Sequence, residues 1–232
     1  GNKSYKRGDL TKATSYYEQA LEYDSNFYLA HFQLGVLQKK QGQSKVAIES
    51  LKKVLDIKPD HDKTWFTLGT VFESEGNIDL SLEHYKKAID INPTYSKPYA
   101  SLGKIYTDMK DYKNAEAPFK DCLKIDPKYE SAHANLGSVY RNLGEIEKSL
   151  RCYDEAIKIN PSNANNYYNK AITLKDSEKI EEAEKNYREA IKLDPKHIGA
   201  RHNLALIYKE RGQVEEALTI GKNILEFGTI HP

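Results

Sequence analysis

Asparagine stands at 135, 169 and 203, at intervals of 34 residues, and a basic residue follows each one six positions on: Arg141, Lys175 and Lys209. An asparagine amide offers one donor group and one acceptor, the complement of a peptide backbone, while a row of cations meets carboxylates. Repeated at equal spacing, the two types form a ladder suited to holding an extended chain and reading its acidic side chains. Residues that carry catalysis or bind metals show no comparable order. There is no glycine-rich phosphate loop, no His-Glu-x-x-His, no Gly-x-Ser-x-Gly and no cluster of Cys and His. His31 and His133 stand where Trp65 and Tyr99 stand elsewhere, which reads as packing, and His197 and His202 do not share a helix face. Cys122 and Cys152 read as packing or surface thiols. Carboxylates are abundant, but nothing marks a cleft that would make a pair of them catalytic. The expectation is a protein that is not an enzyme and takes no cofactor and no metal.

The elements that position the ladder follow from a repeat. Proline falls at 59, 93, 127, 161 and 195, in contexts such as Asp56-Ile57-Lys58-Pro59 and Lys124-Ile125-Asp126-Pro127. With that proline at position 32 of a 34-residue unit, units begin at Tyr28, Asp62, Ser96, Glu130, Ala164 and Ile198, after a partial unit over 1–27. Position 8 is Gly35, Gly69, Gly103, Gly137, Ala171 and Ala205; position 20 is Ala or Ser; position 24 is large in most units, as in Leu51, Tyr85, Phe119 and Tyr153. Apolar residues at helical spacing mark two helices per unit, as in Trp65, Leu68 and Phe72, then Ala115, Phe119 and Cys122. Between them sits a turn glycine: Gly8, Gly42, Gly76, Gly144 and Gly212. The small residues allow two helix backbones to approach, the large one fills space toward a neighbour, and the proline stops the second helix. A lone hairpin cannot bury its apolar faces, so stacked hairpins are expected.

Composition agrees. The chain is 39% hydrophobic and 30% charged, with a mean hydropathy of −0.74, which suits an elongated array better than one thick core. No apolar run approaches the length of a membrane span and no secretory signal is visible, although the chain starts without Met, so an upstream stretch is expected. Two cysteines point to a reducing compartment and a cytoplasmic location. A net charge of +1 argues against a nucleic-acid partner and against a membrane surface.

The 34-residue pattern, with Trp65-Phe66-Thr67-Leu68-Gly69, Tyr99-Ala100-Ser101-Leu102-Gly103 and His133-Ala134-Asn135-Leu136-Gly137, resembles the tetratricopeptide repeat almost from end to end. The resemblance implies an all-α, right-handed superhelical solenoid of antiparallel helix hairpins spanning 1–232 as one domain, with full repeats at 28–61, 62–95, 96–129, 130–163, 164–197 and 198–231. Departures carry expectations of their own. Lys170 and Glu178 replace the usual Leu and the turn Gly and should loosen their hairpin. Pro118 should kink a second helix. Gly221 replaces a large residue, and the missing capping helices suggest a fragment or ends covered by a partner.

The resemblance also implies that first helices line a concave groove, with positions 2, 5, 6, 9, 12 and 13 facing in. Nine basic residues fall there: Lys6, Lys39, Lys40, Lys63, Lys97, Lys104, Arg141, Lys175 and Lys209. Only four are acidic, Glu73, Asp108, Asp176 and Glu210, a surplus of five charges that favours an acidic segment or a free carboxylate. The row Asn135, Asn169 and Asn203 resembles the asparagine ladder of O-linked N-acetylglucosamine transferases over three units; Gln33, Thr67 and Ser101 take the earlier rungs. A carboxylate clamp of the co-chaperone kind fits Asn2 and Lys63 but fails at Gln33 and Thr67. Near the N-terminal end Leu29, Phe32, Val36 and Phe66 could take an apolar anchor. The expected function is a scaffold that binds a protein or peptide segment. A substrate-recruiting domain of a larger enzyme and a structural spacer are the other two readings.

Overall fold

The computed structural model of the chain describes residues 1 and 9–220, and the regular elements among them are all α-helices. In order they are α1 (Leu10–Tyr23), α2 (Tyr28–Lys40), α3 (Ser44–Ile57), α4 (Asp62–Ser74), α5 (Ile78–Ile91), α6 (Ser96–Asp108), α7 (Tyr112–Ile125), α8 (Glu130–Asn142), α9 (Ile146–Ile159), α10 (Ala164–Asp176), α11 (Ile180–Leu193) and α12 (Ile198–Glu210). The even-numbered helices begin at the six residues from which the repeat units were counted. The chain forms two compact units, 1–102 and 103–232, whose border falls inside α6. Gly8 and Gly221 lie outside the described residues, as do Asn2, Tyr5 and Lys6.

Packing inside each hairpin follows from the pairing of positions 8 and 24. In the first unit a Cβ on Gly35 would stand 2.6 Å from Leu51, and one on Gly69 would stand 2.6 Å from the Tyr85 ring. In the second unit a Cβ on Gly103 would stand 2.8 Å from Phe119, and one on Gly137 would stand 3.0 Å from Tyr153. The large residue therefore covers the glycine of its own hairpin, and the two backbones close on it. Ala47, Ala88, Ala115, Cys122 and Ala183, at positions 20 and 27, are fully buried beside it.

Every hairpin turn among the described residues has one residue in the left-handed region. At Gly42, Gly76, Gly144 and Gly212 φ is +73° to +78°; the same place is taken by Lys110 (φ 60°) and Glu178 (φ 61°). The bonds that close the turn are common to all: the N–H groups of Asn77, Asp111 and Lys179 donate to the carbonyls of Phe72, Tyr106 and Leu174 at 2.9, 2.8 and 2.9 Å. The α10–α11 turn is thus closed like the others, and Lys170 reaches back to the preceding hairpin, its Nζ 2.6 Å from Asp154 on α9. What Glu178 and Lys110 add is local strain, since a Cβ in this conformation costs about 1–2 kcal/mol. Glu178→Gly and Lys110→Gly should each raise stability by about 1 kcal/mol, seen as a higher urea midpoint at unchanged slope. A midpoint that stays or falls would refute the strain. Pro118 does not end α7, which keeps the 14 residues of the other second helices around it.

The link from one hairpin to the next is tied by the fourth residue of the following first helix. Trp65 Nε1 donates to the Pro59 carbonyl (2.8 Å), Tyr99 Oη to Pro93 (3.2 Å), His133 Nε2 to Pro127 (3.0 Å) and Arg201 Nε to Pro195 (2.7 Å). His31 Nε2 does the same to Ser25 (2.9 Å). A carbonyl only accepts, so each histidine carries its proton on Nε2. These side chains share a donor placed to satisfy a link carbonyl as well as bulk, which refines the reading of His31 and His133 as packing residues.

Candidate functional site

The asparagine row lies in the second unit. Asn135, Asn169 and Asn203 occupy the sixth residue of α8, α10 and α12, and each is half-buried. Behind this row stand the large residues of the second helices. Tyr187 is fully buried, and its hydroxyl, pushed up to about 12 by burial, accepts a hydrogen bond from Asn203 Nδ2 at 3.3 Å. At the second rung only the backbone carbonyl of Asn169 is engaged by Thr173, accepting from its Oγ1 at 3.1 Å, and the side-chain amide takes no part in that bond.

The basic row divides by partner. Arg141 Nε stands 3.4 Å from Asp176 Oδ2, one repeat further on, an ion pair between α8 and α10. Lys104 pairs with Asp108 within α6 at 2.9 Å. Lys175 and Lys209 make no ion pair among the described residues, and Lys209 is exposed. Aromatic rings line the same face: Tyr168 packs tilted against His197 at 4.6 Å, and His197 Nε2 lies 3.2 Å from Asn165 Oδ1. Gly199 leaves room for the Tyr168 hydroxyl, which would stand 2.8 Å from a Cβ there.

In the first unit Lys63 and Lys97 are exposed. Phe32 and Phe66 are half-buried and already pack on rings: Phe32 edge-on against His61 at 5.0 Å, Phe66 against Tyr95 at 5.2 Å and Tyr85 at 5.5 Å. Burial holds the His61 imidazole below its ordinary pKa and also holds the Lys39 ammonium down. Lys39 Nζ donates to Thr70 Oγ1 at 2.6 Å, and Tyr85 Oη donates to Glu73 at 2.6 Å. Thr67 is buried with its hydroxyl on the Lys63 carbonyl (2.7 Å), so the earlier rung at this place is closed. Three of the four acidic residues of the face are therefore tied to neighbours, Glu73 by Tyr85 from behind, and Asp108 by Lys104 and Asp176 by Arg141 on the face itself. Sequence reasoning counted their charges but not their partners. The tyrosines at position 24 were the one signal available.

Among the described residues no group of Cys, His, Asp and Glu could hold a metal ion, and no helix is long and apolar enough to cross a membrane. The fold is an all-α solenoid of helix hairpins, a protein-interaction scaffold. The chain belongs to the tetratricopeptide repeat family: tetratricopeptide and TPR repeat models match residues 1–42, 28–61, 62–95, 96–129, 131–163, 164–197 and 186–219. Proteins of this family are typically scaffolds without catalysis.

Solved structures agree with that fold. The C-terminal part of a TPR repeat-containing protein from Cytophaga hutchinsonii is similar with a TM-score of 0.76 and 15% identity, over 99% of this chain and 95% of that one. MamA is similar with a TM-score of 0.65 and 25% identity, over 69% and 94%. YrrB, described as a TPR protein with an unusual peptide-binding site, is similar with a TM-score of 0.67 and 18% identity, over 81% and 96%. Among curated proteins no match is found.

Proposed function

We propose that the chain is one continuous, non-enzymatic solenoid whose first-helix face binds an extended, acidic segment of a partner protein, in a reducing compartment such as the cytoplasm. Asn135, Asn169 and Asn203 hold the backbone of the segment, Arg141, Lys175 and Lys209 meet its carboxylates, and Lys63, Lys97 and Lys104 extend the positive potential. The half-exposed edges of Phe32 and Phe66 receive an apolar side chain. The observation that carries this reading is the pair Lys175 and Lys209, two cations one repeat apart with no ion pair among the described residues, beside a row of asparagines. The peptide-binding character of YrrB supports it by likeness of fold.

A fluorescein-labelled decaglutamate peptide titrated with the protein and followed by anisotropy tests it. Wild type should bind, with affinity falling steeply as salt rises. Lys175→Glu with Lys209→Glu should weaken binding at least tenfold, and the Asn135/Asn169/Asn203→Ala triple variant should do so with less change in salt dependence. Equal affinity of both variants and wild type, or equal binding of a decalysine peptide, would sink the reading.

A further inference from the structure

Two groups of the second unit's first-helix face are held by neighbours in one particular orientation. A guanidinium can be gripped by its Nε edge or by its two Nη groups, and the choice decides which edge is left for a ligand. Asp176 Oδ2 lies 3.4 Å from Arg141 Nε, so the carboxylate stands as an ion-pair partner on the Nε side. The Arg141 and Asp176 side chains remain 28% and 49% exposed, enough for a partner to reach the Nη end. An asparagine amide poses the same choice. Asn203 spends an N–H on the Tyr187 hydroxyl at 3.3 Å, which leaves its oxygen as the free end. Asp176 and Arg141 both act electrostatically on that hydroxyl, so the two arrangements meet at one buried tyrosine.

We infer that Asp176 and Tyr187 are positioning residues of this face, holding a guanidinium fork at Arg141 on α8 and an amide acceptor at Asn203 on α12, two repeats further on, each in one orientation. The chemistry they recognise is an acidic residue's carboxylate at Arg141 and, two repeats further along the same extended chain, a backbone N–H at Asn203. A carboxylate meets the Nη fork by two parallel bonds, and the amide oxygen accepts the N–H. This rests on the proposed binding of an acidic segment and adds which side chains prepare it. An exposed ion pair of this kind contributes little to stability, so its use is directional.

The test exploits opposite signs. Asp176→Asn removes a negative charge from the face, so simple attraction predicts tighter binding of decaglutamate. Positioning predicts weaker binding, by threefold or more. Tyr187→Phe copies the phenylalanine already found at this place of the repeat, Phe119, so the variant should fold. It should also weaken binding threefold or more. In protein without peptide, the Arg141 Nε–H resonance should shift in Asp176→Asn and the Asn203 side-chain amide resonances in Tyr187→Phe, which a purely electrostatic role would not require. Tighter or unchanged binding by Asp176→Asn, or an Asn203 amide unmoved in Tyr187→Phe, overturns the inference while the proposed function stands. Failure of wild type itself to bind decaglutamate overturns both.

Discussion

Replacing Tyr85 with alanine is expected to cost about 3–5 kcal/mol of stability, the range for deleting a buried aromatic ring. The ring is fully buried and lies on Gly69, where a Cβ would stand only 2.6 Å away, so the α4–α5 hairpin is closed around it. On the hairpin side the neighbours are too small to refill the space. Gly69 has no side chain, and Ser81, beside it at position 20, is small and itself fully buried. The hydroxyl adds a hydrogen bond to Glu73 at 2.6 Å. Tyr85→Phe separates the two contributions, since it keeps the ring and should cost only about 1 kcal/mol. Urea denaturation followed by helical circular dichroism checks both, together with amide exchange in α4 and α5 should the repeats not unfold as one. A loss below about 2 kcal/mol in the alanine variant, or equal losses in the two, would mean that the ring is not the filler of the hairpin.

A comparable loss, about 3 kcal/mol, is expected from Glu184→Ala in the second unit, for an electrostatic reason. Glu184 is only 11% exposed in its side chain and sits between two guanidinium groups: Arg211 Nη1 at 2.5 Å and Arg188 Nη2 at 2.6 Å. The Tyr208 hydroxyl completes the set, donating to Glu184 at 3.4 Å and accepting from Arg188. This clasp joins α11 to α12 and the turn after it. Removing the carboxylate strands a nearly buried hydroxyl and sets two cations against each other, whereas removing the whole arrangement need not be costly. One repeat earlier the same two places hold Leu150 and Leu174, both buried in one apolar cluster with their neighbours. Glu184→Leu combined with Tyr208→Leu should therefore recover most of what Glu184→Ala loses. A double variant as unstable as the single one would show that the carboxylate contributes more than satisfaction of its partners. A related contact, Tyr140 to Glu116 at 3.0 Å, joins α7 and α8, so the clasp recurs within the unit.

Much of the repeat architecture is written locally. The starts of α2, α4, α6, α8, α10 and α12 coincide with the unit boundaries counted from the prolines, because proline ends a helix through its own ring and missing N–H. Gly42, Gly76, Gly144 and Gly212 announce their turns for a similarly local reason, a φ that glycine takes without penalty. Lys110 and Glu178 show where such reading stops. Neither residue type favours that conformation, and the chain accepts it because the packed helices on either side leave no other path.

The first-helix face divides in the same way. That Asn135, Asn169 and Asn203 recur with Arg141, Lys175 and Lys209 is plain in the sequence, as is the surplus of positive charge among those positions. Which of the cations are engaged is not, since Asp176 lies 35 residues from Arg141 and Tyr187 lies 16 residues before Asn203. Spacing assigns a residue to a helix and a face through bonds between near neighbours in the chain. The direction in which an amide or a guanidinium points is set by groups from other repeats, and those meet it only when the hairpins stack.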